Sequence, residues 1–155
     1  MSIKVVELHH HGIRIGTSQE DVEKARNFYT DVLGLHTDSH RPNIPTIPGF
    51  WMYVGQGERT TQIHLMGATG KSPMARSEKE DPTLPHVALA VEDIQAAKKE
   101  LEDRGLWHWQ IRGLVGPNSD QIFVQDPFGN VIELHQYGSC TCNKISMGTS
   151  EMRNG

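Results

Sequence analysis

The sequence has little that would direct the chain to a membrane, to the cell exterior or to a nucleic acid. No apolar run approaches the about 20 residues that span a bilayer. The N-terminal stretch MSIKVVELHHHG lacks the apolar core of a secretory signal. A formal net charge of −4 leaves no basic excess for nucleic acid. These absences predict a cytoplasmic protein without membrane or nucleic-acid partners.

Cysteine is also scarce, with two residues separated by one position, Cys140 and Cys142. A disulfide between such close neighbours would be strained, so we expect reduced thiols, as in the cytoplasm. Both lie in a small, polar stretch, 139–155, which we interpret as a loose C-terminal tail. The preceding 1–138 are long enough for one domain with a buried core.

Histidine, by contrast, is abundant, and two stretches of the chain repeat one pattern of predicted elements. The first module, 7–67, has alternating residues over Leu8–Ile15, which predicts a strand. A capping-box pair, Thr17 and Glu20, then opens a helix that ends at Gly34. Two further predicted strands of this module cover Gly49–Val54 and Thr61–Met66.

The second module, 84–137, follows the same order after a polar segment, 67–85, that reads as a solvated linker. The alternation in PHVALAV predicts its first strand, and Asp93 and Gly105 mark the ends of its helix. The remaining strands are predicted at Leu106–Arg112, Ile122–Gln125 and Asn130–His135, the last two joined by the DPFG turn.

Four ligand-type side chains occupy matching places in the two modules. His10 and His86 each precede by five residues the aliphatic residue that closes the first strand. His64 and Glu133 lie in the last strands, opposite their aliphatic neighbours. If the two sheets roll toward each other, all four converge in one cavity. Imidazoles and a carboxylate suit a divalent first-row metal, and such a set leaves coordination positions for substrate, as in a catalytic site.

Roles within this site follow from side-chain chemistry. Glu133 is the natural proton carrier, with His64 second. His64 could instead line the cavity without binding, which would leave His10, His86 and Glu133 as a set that favours Fe(II). Arg14 shares the face of His10 and suits an anionic substrate group, although a solvated strand-end arginine would look the same.

The aromatic residues of the strands allow two interpretations. Trp51 and Phe123 could wall the cavity and touch substrate. Aromatic side chains in strands are, however, more often part of a plain hydrophobic core.

The motifs HHGIRI, ARNFYTDVLGL, QIHL, PHVALAV and VQDPFGNVIEL, spread from about Leu8 to Gln136, resemble the vicinal oxygen chelate superfamily of glyoxalases, bleomycin resistance proteins and extradiol dioxygenases. The resemblance implies an α+β fold in which two βαβββ modules form a cupped mixed sheet around a central cavity. It also implies a homodimer, and one divalent ion (Ni, Co, Mn, Fe or Zn) held by His10, His64, His86 and Glu133.

Within that superfamily, organisation is nearest to glyoxalase I. The favoured function is metal-dependent lyase or isomerase chemistry on a small substrate chelated through two neighbouring oxygens. One alternative is an extradiol-type dioxygenase that uses His10, His86 and Glu133 for Fe(II). The other is a non-catalytic protein of the bleomycin-resistance type that binds a drug or metabolite, against which the four ligand-type residues argue.

Overall fold

The computed structural model describes residues 1–55, 61–114 and 119–139. Two sequence-based predictions fall outside these residues: the thiols of Cys140 and Cys142, and all but the first residue of the tail. The chain divides into two compact units. We call His10–His86 the N-terminal unit, and Met1–His9 together with Val87–Gly155 the C-terminal unit.

The elements of the described residues follow the predicted order, with one addition, the two-residue strand His36–Thr37, which the sequence analysis does not predict. In chain order they are β1 (Val5–Ile15), α1 (Gln19–Asn27), a π-helical turn (Phe28–Val32), β2 (His36–Thr37), β3 (Gly49–Tyr53), β4 (Gln62–Gly67), β5 (His86–Val91), α2 (Ile94–Asp103), β6 (His108–Arg112), β7 (Asp120–Gln125) and β8 (Val131–Gln136). This order is βαβββ twice, which confirms the predicted α+β, glyoxalase-like fold. Neither described α-helix has the length and apolarity needed to cross a membrane.

In the N-terminal unit the strands lie in the order β2-β3-β4-β1. β1 runs parallel to β4, which places Gly12 opposite His64. β3 runs antiparallel to β4, which places Trp51 opposite His64 on the other side. Strand pairing alone therefore brings a glycine and an indole to the two flanks of one histidine.

The helix of the N-terminal unit differs from its prediction at its start, whereas its predicted end at Gly34 is confirmed, since Gly34 follows the last helical turn with a left-handed φ of 69°. Ser18, not Thr17, is the N-cap, and its Oγ accepts a hydrogen bond from the amide of Asp21 at 3.1 Å. After Asn27 the helix widens into the π-turn, which adds a residue and rotates the following side chains off the packed face. The apolar side chains of Phe28, Val32 and Leu33, in and just after this turn, are exposed by 52%, 67% and 52%.

The segment between the modules is not the solvated linker that its composition predicts. Ser72, Asp81 and Thr83 are buried, with exposures of 4%, 1% and 0%. Their hydroxyl and carboxyl groups bond to one another, so these polar side chains are buried without being left unpaired. This polar cluster leads directly into β5.

In the C-terminal unit the strands lie in the order β5-β8-β7-β6. Asp93 caps α2 as predicted, since its Oδ1 accepts hydrogen bonds from the amides of Gln95 and Ala96 at 2.9 and 3.0 Å. The helix packs on the strands through a cluster of buried apolar side chains: Val91, Ile94, Ala97, Leu101, Ile122 and Leu134. The hairpin β7–β8 sets Phe123 opposite Glu133.

Candidate functional site

Three buried histidines of the N-terminal unit lie close together, and His10 contacts each of the other two. We call His10, His64 and His86 the imidazole cluster; their exposures are 2%, 6% and 4%. The Nε2 atoms of His10 and His86 are 3.1 Å apart. The ring of His64 stacks on the ring of His10, with centroids 3.7 Å apart and planes inclined by 15°.

The orientation of His86 is set by its neighbours. Its Nδ1 lies 2.6 Å from the carbonyl oxygen of Leu84. Because a carbonyl only accepts, Nδ1 carries the proton, and the lone pair of the neutral ring is on Nε2. The ring lies directly against the backbone of β1 at Gly12, where a Cβ would come within 2.6 Å of Cε1. Glycine at that position is what allows the ring to occupy this place.

The Nε2 atoms of His10 and His86 are within hydrogen-bond distance, and the same separation is one that two ligands of a single ion can have. Two imidazole nitrogens that bind one first-row ion at 2.0–2.1 Å are separated by about 2.8–3.4 Å when the angle at the ion is between square and tetrahedral. The observed Nε2–Nε2 distance of 3.1 Å lies in that range. A histidine that binds a metal through one ring nitrogen usually donates the N–H of the other to a carboxylate, carbonyl or water, and His86 Nδ1 has such a carbonyl in Leu84.

His64 is held differently. The carboxylate of Asp38 accepts from Gln62 Nε2 at 2.9 Å, which turns Gln62 Oε1 toward His64 Nε2, also at 2.9 Å. Trp51 covers its other face, with centroids 4.4 Å apart and planes inclined by 9°. Imidazole lone pairs lie in the ring plane, so the nearly parallel rings of His64 and His10 do not direct them at one point. In these positions His64 lines the cluster, and its role as a ligand stays a prediction.

Glu133 belongs to a second buried group, in the C-terminal unit. Its carboxylate is 1% exposed and accepts from Gln121 Nε2 at 2.7 Å. Nε2 of His135 is in direct contact with the same oxygen. His9 stacks on His135, with ring centroids 4.8 Å apart. A buried carboxylate with partners of this kind can remain ionised and act as a ligand.

Three members of that group, His9, Gln121 and His135, are absent from the sequence-based site. His135 lies two residues after Glu133 and therefore on the same face of β8. That spacing is the signal that could have found it, but His135 has no counterpart in the first module. Gln121 enters only through the pairing of β7 with β8, where it lies opposite His135.

Arg14 already has several partners in the N-terminal unit. Its Nε donates to the carbonyl of Thr83 at 2.9 Å, and NH2 donates to Thr83 Oγ1 at 2.8 Å and to Asp81 Oδ2 at 3.2 Å. Burial alone would raise the pKa of Asp81, but hydrogen bonds from Ser72 and Thr83 lower it. The arginine therefore faces an ionised carboxylate of its own chain, and its contact with substrate stays a prediction.

The two aromatic residues of the predicted site are both buried. Trp51, 5% exposed, stacks on His64 as described. Phe123, fully buried, stacks on Trp109 with centroids 4.0 Å apart and planes inclined by 8°. Nearby in the N-terminal unit, desolvation and the negative charge of Asp38 raise the pKa of Tyr53 to about 12. The chain thus has buried histidine and glutamate side chains able to hold a metal ion.

Solved structures share this architecture. A methylmalonyl-CoA epimerase is 22% identical with a TM-score of 0.64, covering 90% of this chain and 100% of that chain. The methylmalonyl-CoA epimerase of Mycobacterium tuberculosis is 25% identical with a TM-score of 0.62, covering 88% of this chain and 90% of that chain. A mutant of homoprotocatechuate 2,3-dioxygenase from Brevibacterium fuscum is 18% identical with a TM-score of 0.57, covering 87% of this chain and 33% of that chain.

The sequence of the chain also matches a family model. No curated protein gives a significant match. A family model described as Glyoxalase/Bleomycin resistance protein/Dioxygenase superfamily matches residues 9–134, which include most of both modules. The chain therefore belongs to the glyoxalase, bleomycin resistance and dioxygenase superfamily.

Proposed function

We propose that this protein is a metal-dependent enzyme that performs lyase or isomerase chemistry of the glyoxalase type on a small substrate with two neighbouring oxygens. The observation that carries the proposal is the pair of buried Nε2 atoms, of His10 and His86, 3.1 Å apart. Two buried imidazoles stand at the spacing of ligands, and one of them has its Nδ1 proton bound by a carbonyl. This arrangement is expected of a metal site and not of a hydrophobic core.

The proposed ligands are His10, His86 and Glu133, with His64 as the fourth position of the superfamily pattern. A bound divalent ion would polarise the substrate oxygens and stabilise negative charge that develops on them. Glu133 is proposed as the proton carrier, because a carboxylate can take up a proton from a substrate whose oxygens the ion holds; Gln121 Nε2, at 2.7 Å, orients it.

His64 has a chemistry of its own in this proposal. Its Nε2 proton is bound by Gln62 Oε1, so its basic nitrogen is Nδ1. A neutral imidazole stacked on His10 can take up a proton at Nδ1 and then return it without leaving the cluster. It therefore remains the second candidate for proton transfer.

Similarity to the epimerases supports isomerase chemistry. An epimerase inverts a stereocentre, and inversion next to a carbonyl requires removal and return of a proton, as does a glyoxalase-type isomerisation through an enediolate. The proposal also includes a single domain over 1–138, a homodimer and a cytoplasmic location. It includes neither nucleic acid nor membrane as a partner.

A second candidate function is extradiol-type ring cleavage. The stacking of His64 on His10 favours it, since that geometry leaves His10, His86 and Glu133 as two histidines and one carboxylate, a set that suits Fe(II). The dioxygenase among the structural neighbours shares the fold. Oxygen consumption with catechols by the iron-loaded protein, compared with the nickel- or cobalt-loaded protein, separates the two candidates.

Metal analysis of the purified protein is the direct test. We expect about one equivalent of a divalent ion per chain, or micromolar or tighter uptake of Ni²⁺, Co²⁺, Mn²⁺ or Fe²⁺, and loss of both in His10→Ala and Glu133→Ala. His36→Ala and His108→Ala, which remove histidines of the same two units outside the buried groups, serve as controls. Full metal occupancy in His10→Ala and Glu133→Ala would refute the ligand assignment. Absence of any uptake by the wild type would favour the metabolite-binding alternative.

A further inference from the structure

One carboxylate that the proposed chemistry does not use has an unusually large number of hydrogen bonds within the N-terminal unit. Asp81 is 1% exposed. Its Oδ1 accepts from Ser72 Oγ, Thr83 N and Thr83 Oγ1 at 2.7, 2.9 and 2.7 Å. Its Oδ2 accepts from Ser72 N at 2.7 Å and Arg14 NH2 at 3.2 Å. We call Arg14, Ser72, Asp81 and Thr83 the Asp81 hub.

The hub is joined to His86 through a short stretch of backbone. The amide of Leu84 donates to the carbonyl of Asp81 at 3.1 Å, which closes a turn over residues 81–84. Arg14 Nε holds the carbonyl of Thr83 at 2.9 Å. The next carbonyl, that of Leu84, accepts from His86 Nδ1 at 2.6 Å. The peptide group between Thr83 and Leu84, which directly precedes the carbonyl of Leu84, is therefore bonded to members of the hub through both its N–H and its C=O.

The direction of that carbonyl decides the protonation of the histidine. A carbonyl aimed at Nδ1 stabilises the Nδ1–H tautomer, which leaves the lone pair on Nε2, the atom 3.1 Å from His10 Nε2. If the 81–84 turn relaxed, Nδ1 would lose its acceptor. The ring would then be free to adopt the Nε2–H tautomer, which has no lone pair on Nε2.

We propose that Asp81 is a positioning residue: its hydrogen bonds hold the turn 81–84 so that the carbonyl of Leu84 keeps the proton of His86 on Nδ1 and leaves Nε2 able to bind a metal. The metal-binding half of this inference rests on the proposed function. The tautomer of His86 is a property of the metal-free protein, so it can be measured whether or not the protein binds an ion.

The first experiment measures that tautomer by NMR of the metal-free, 15N-histidine-labelled protein, in which the two ring nitrogens have distinct long-range correlations. His86 is assigned by comparison with His86→Ala. We expect the Nδ1–H tautomer in the wild type and a loss of that preference in Asp81→Asn. Asn places an amide N–H where the carboxylate accepts hydrogen bonds, so the hub must rearrange.

A milder pair of variants answers the same question if Asp81→Asn does not fold. Thr83→Val keeps the hydrogen bond from its backbone N–H to Asp81 but loses the two hydrogen bonds of Oγ1. Thr83→Ser keeps all three. We expect Thr83→Val to weaken the Nδ1–H preference and Thr83→Ser to restore it. A structural role confined to the loop would lower stability without moving the tautomer.

The second experiment measures Co²⁺ affinity by calorimetric titration of the same proteins. Loss of an outer-shell partner of a ligand lowers metal affinity roughly tenfold to hundredfold. We expect that loss in Asp81→Asn. The matched control is Asp126→Asn, which removes a carboxylate that accepts three hydrogen bonds in a turn of the C-terminal unit and should leave Co²⁺ affinity unchanged.

The outcomes distinguish the positioning role from the proposed function. An unchanged His86 tautomer in both Asp81→Asn and Thr83→Val would overturn the positioning role of Asp81, whatever the metal affinity. A tautomer that changes as expected, in a protein that binds no Co²⁺ even as the wild type, would support the positioning role and refute the proposed function. An equal loss of Co²⁺ affinity in Asp126→Asn would show a general effect of stability and would also overturn the inference.

Discussion

Adding one methyl group at Gly12 tests where the ring of His86 lies. A Cβ at this position would be 2.6, 2.8 and 3.0 Å from Cε1, Nε2 and Nδ1 of His86. Non-bonded carbon atoms approach comfortably to about 3.5 Å, so the ring has to withdraw by about 1 Å. We therefore expect Gly12→Ala to displace Nε2 from His10 and to reduce metal affinity about tenfold or more, as the loss of a correctly oriented ligand does.

The sign of the stability change depends on two opposing effects. Gly12 lies within β1 and has no positive φ, so alanine fits its backbone and restricts the unfolded chain, a gain of about 0.4–1 kcal/mol. Overpacking of a buried site costs about 1–3 kcal/mol. The clash outweighs the gain, and we expect a net loss of about 1–2 kcal/mol. In a chain of this size that loss lowers Tm by about 2–8 °C.

A double-mutant cycle in urea denaturation assigns the loss to this contact. In a His86→Ala background all three clashing atoms are gone, so Gly12→Ala should be neutral or slightly stabilising. The expected coupling free energy between the two positions is about 1–3 kcal/mol. If Gly12→Ala costs the same with and without the His86 ring, the ring does not lie against Gly12, and the geometric argument for the metal site is wrong.

Three further predictions concern groups whose surroundings are unusual. The pKa of Asp81 is lowered, because hydrogen bonds from Ser72 and Thr83 outweigh the effect of burial. Its carboxylate therefore stabilises the fold at pH values above the ordinary pKa. That stability is lost as the pH falls through the pKa of the folded state. The difference in unfolding free energy between wild type and Asp81→Asn, measured in urea, should be constant near neutral pH and shrink below about pH 4; a gap independent of pH would contradict this. The pKa of Tyr53 is raised to about 12, so one of the three tyrosines should ionise late in an ultraviolet titration, and Tyr53→Phe should remove that step. Stability should also fall as the pH rises through this range, because the unfolded chain releases the proton first. Phe123→Ala should cost about 3–5 kcal/mol in denaturant unfolding, whereas Phe128→Ala, at a ring that is 91% exposed, should stay within about 0.5 kcal/mol; equal costs would show that the stack of Phe123 on Trp109 contributes nothing.

Elements whose signal is local were readable from the residues alone. Asp93 and Gly105 bracket α2 because a cap and a left-handed glycine act within one turn of the helix. The alternation in β5 and β8 reflects one buried face, and it placed His86 and Glu133 at buried positions. In α1 the same periodicity failed beyond Asn27, since a π-turn changes the angular spacing that the pattern assumes.

Composition alone gives the wrong picture of the segment before β5. Serines, threonines and acidic residues suggest a solvated loop, yet Ser72, Asp81 and Thr83 are buried because they bond to one another. The residues next to each of these three in sequence do not show that Asp81 bonds to Ser72, nine residues before it, and to Thr83, two residues after it. Arg14, which completes this group, is more than sixty residues distant, so the arrangement depends on how the chain folds back.

The order of residues alone was enough to determine a duplicated strand-helix-strands pattern and the four places where a ligand-type side chain recurs, because strand alternation and helix caps act over a few residues. Tertiary structure decided which atom of each side chain is available. The carbonyl of Leu84 sets the tautomer of His86, Gln62 and Asp38 orient His64, and His10 and Trp51 stack on its two faces. Rotamer, tautomer and stacking are set by neighbours that meet only when strands pair, so they follow from the fold and not from any single stretch of the chain.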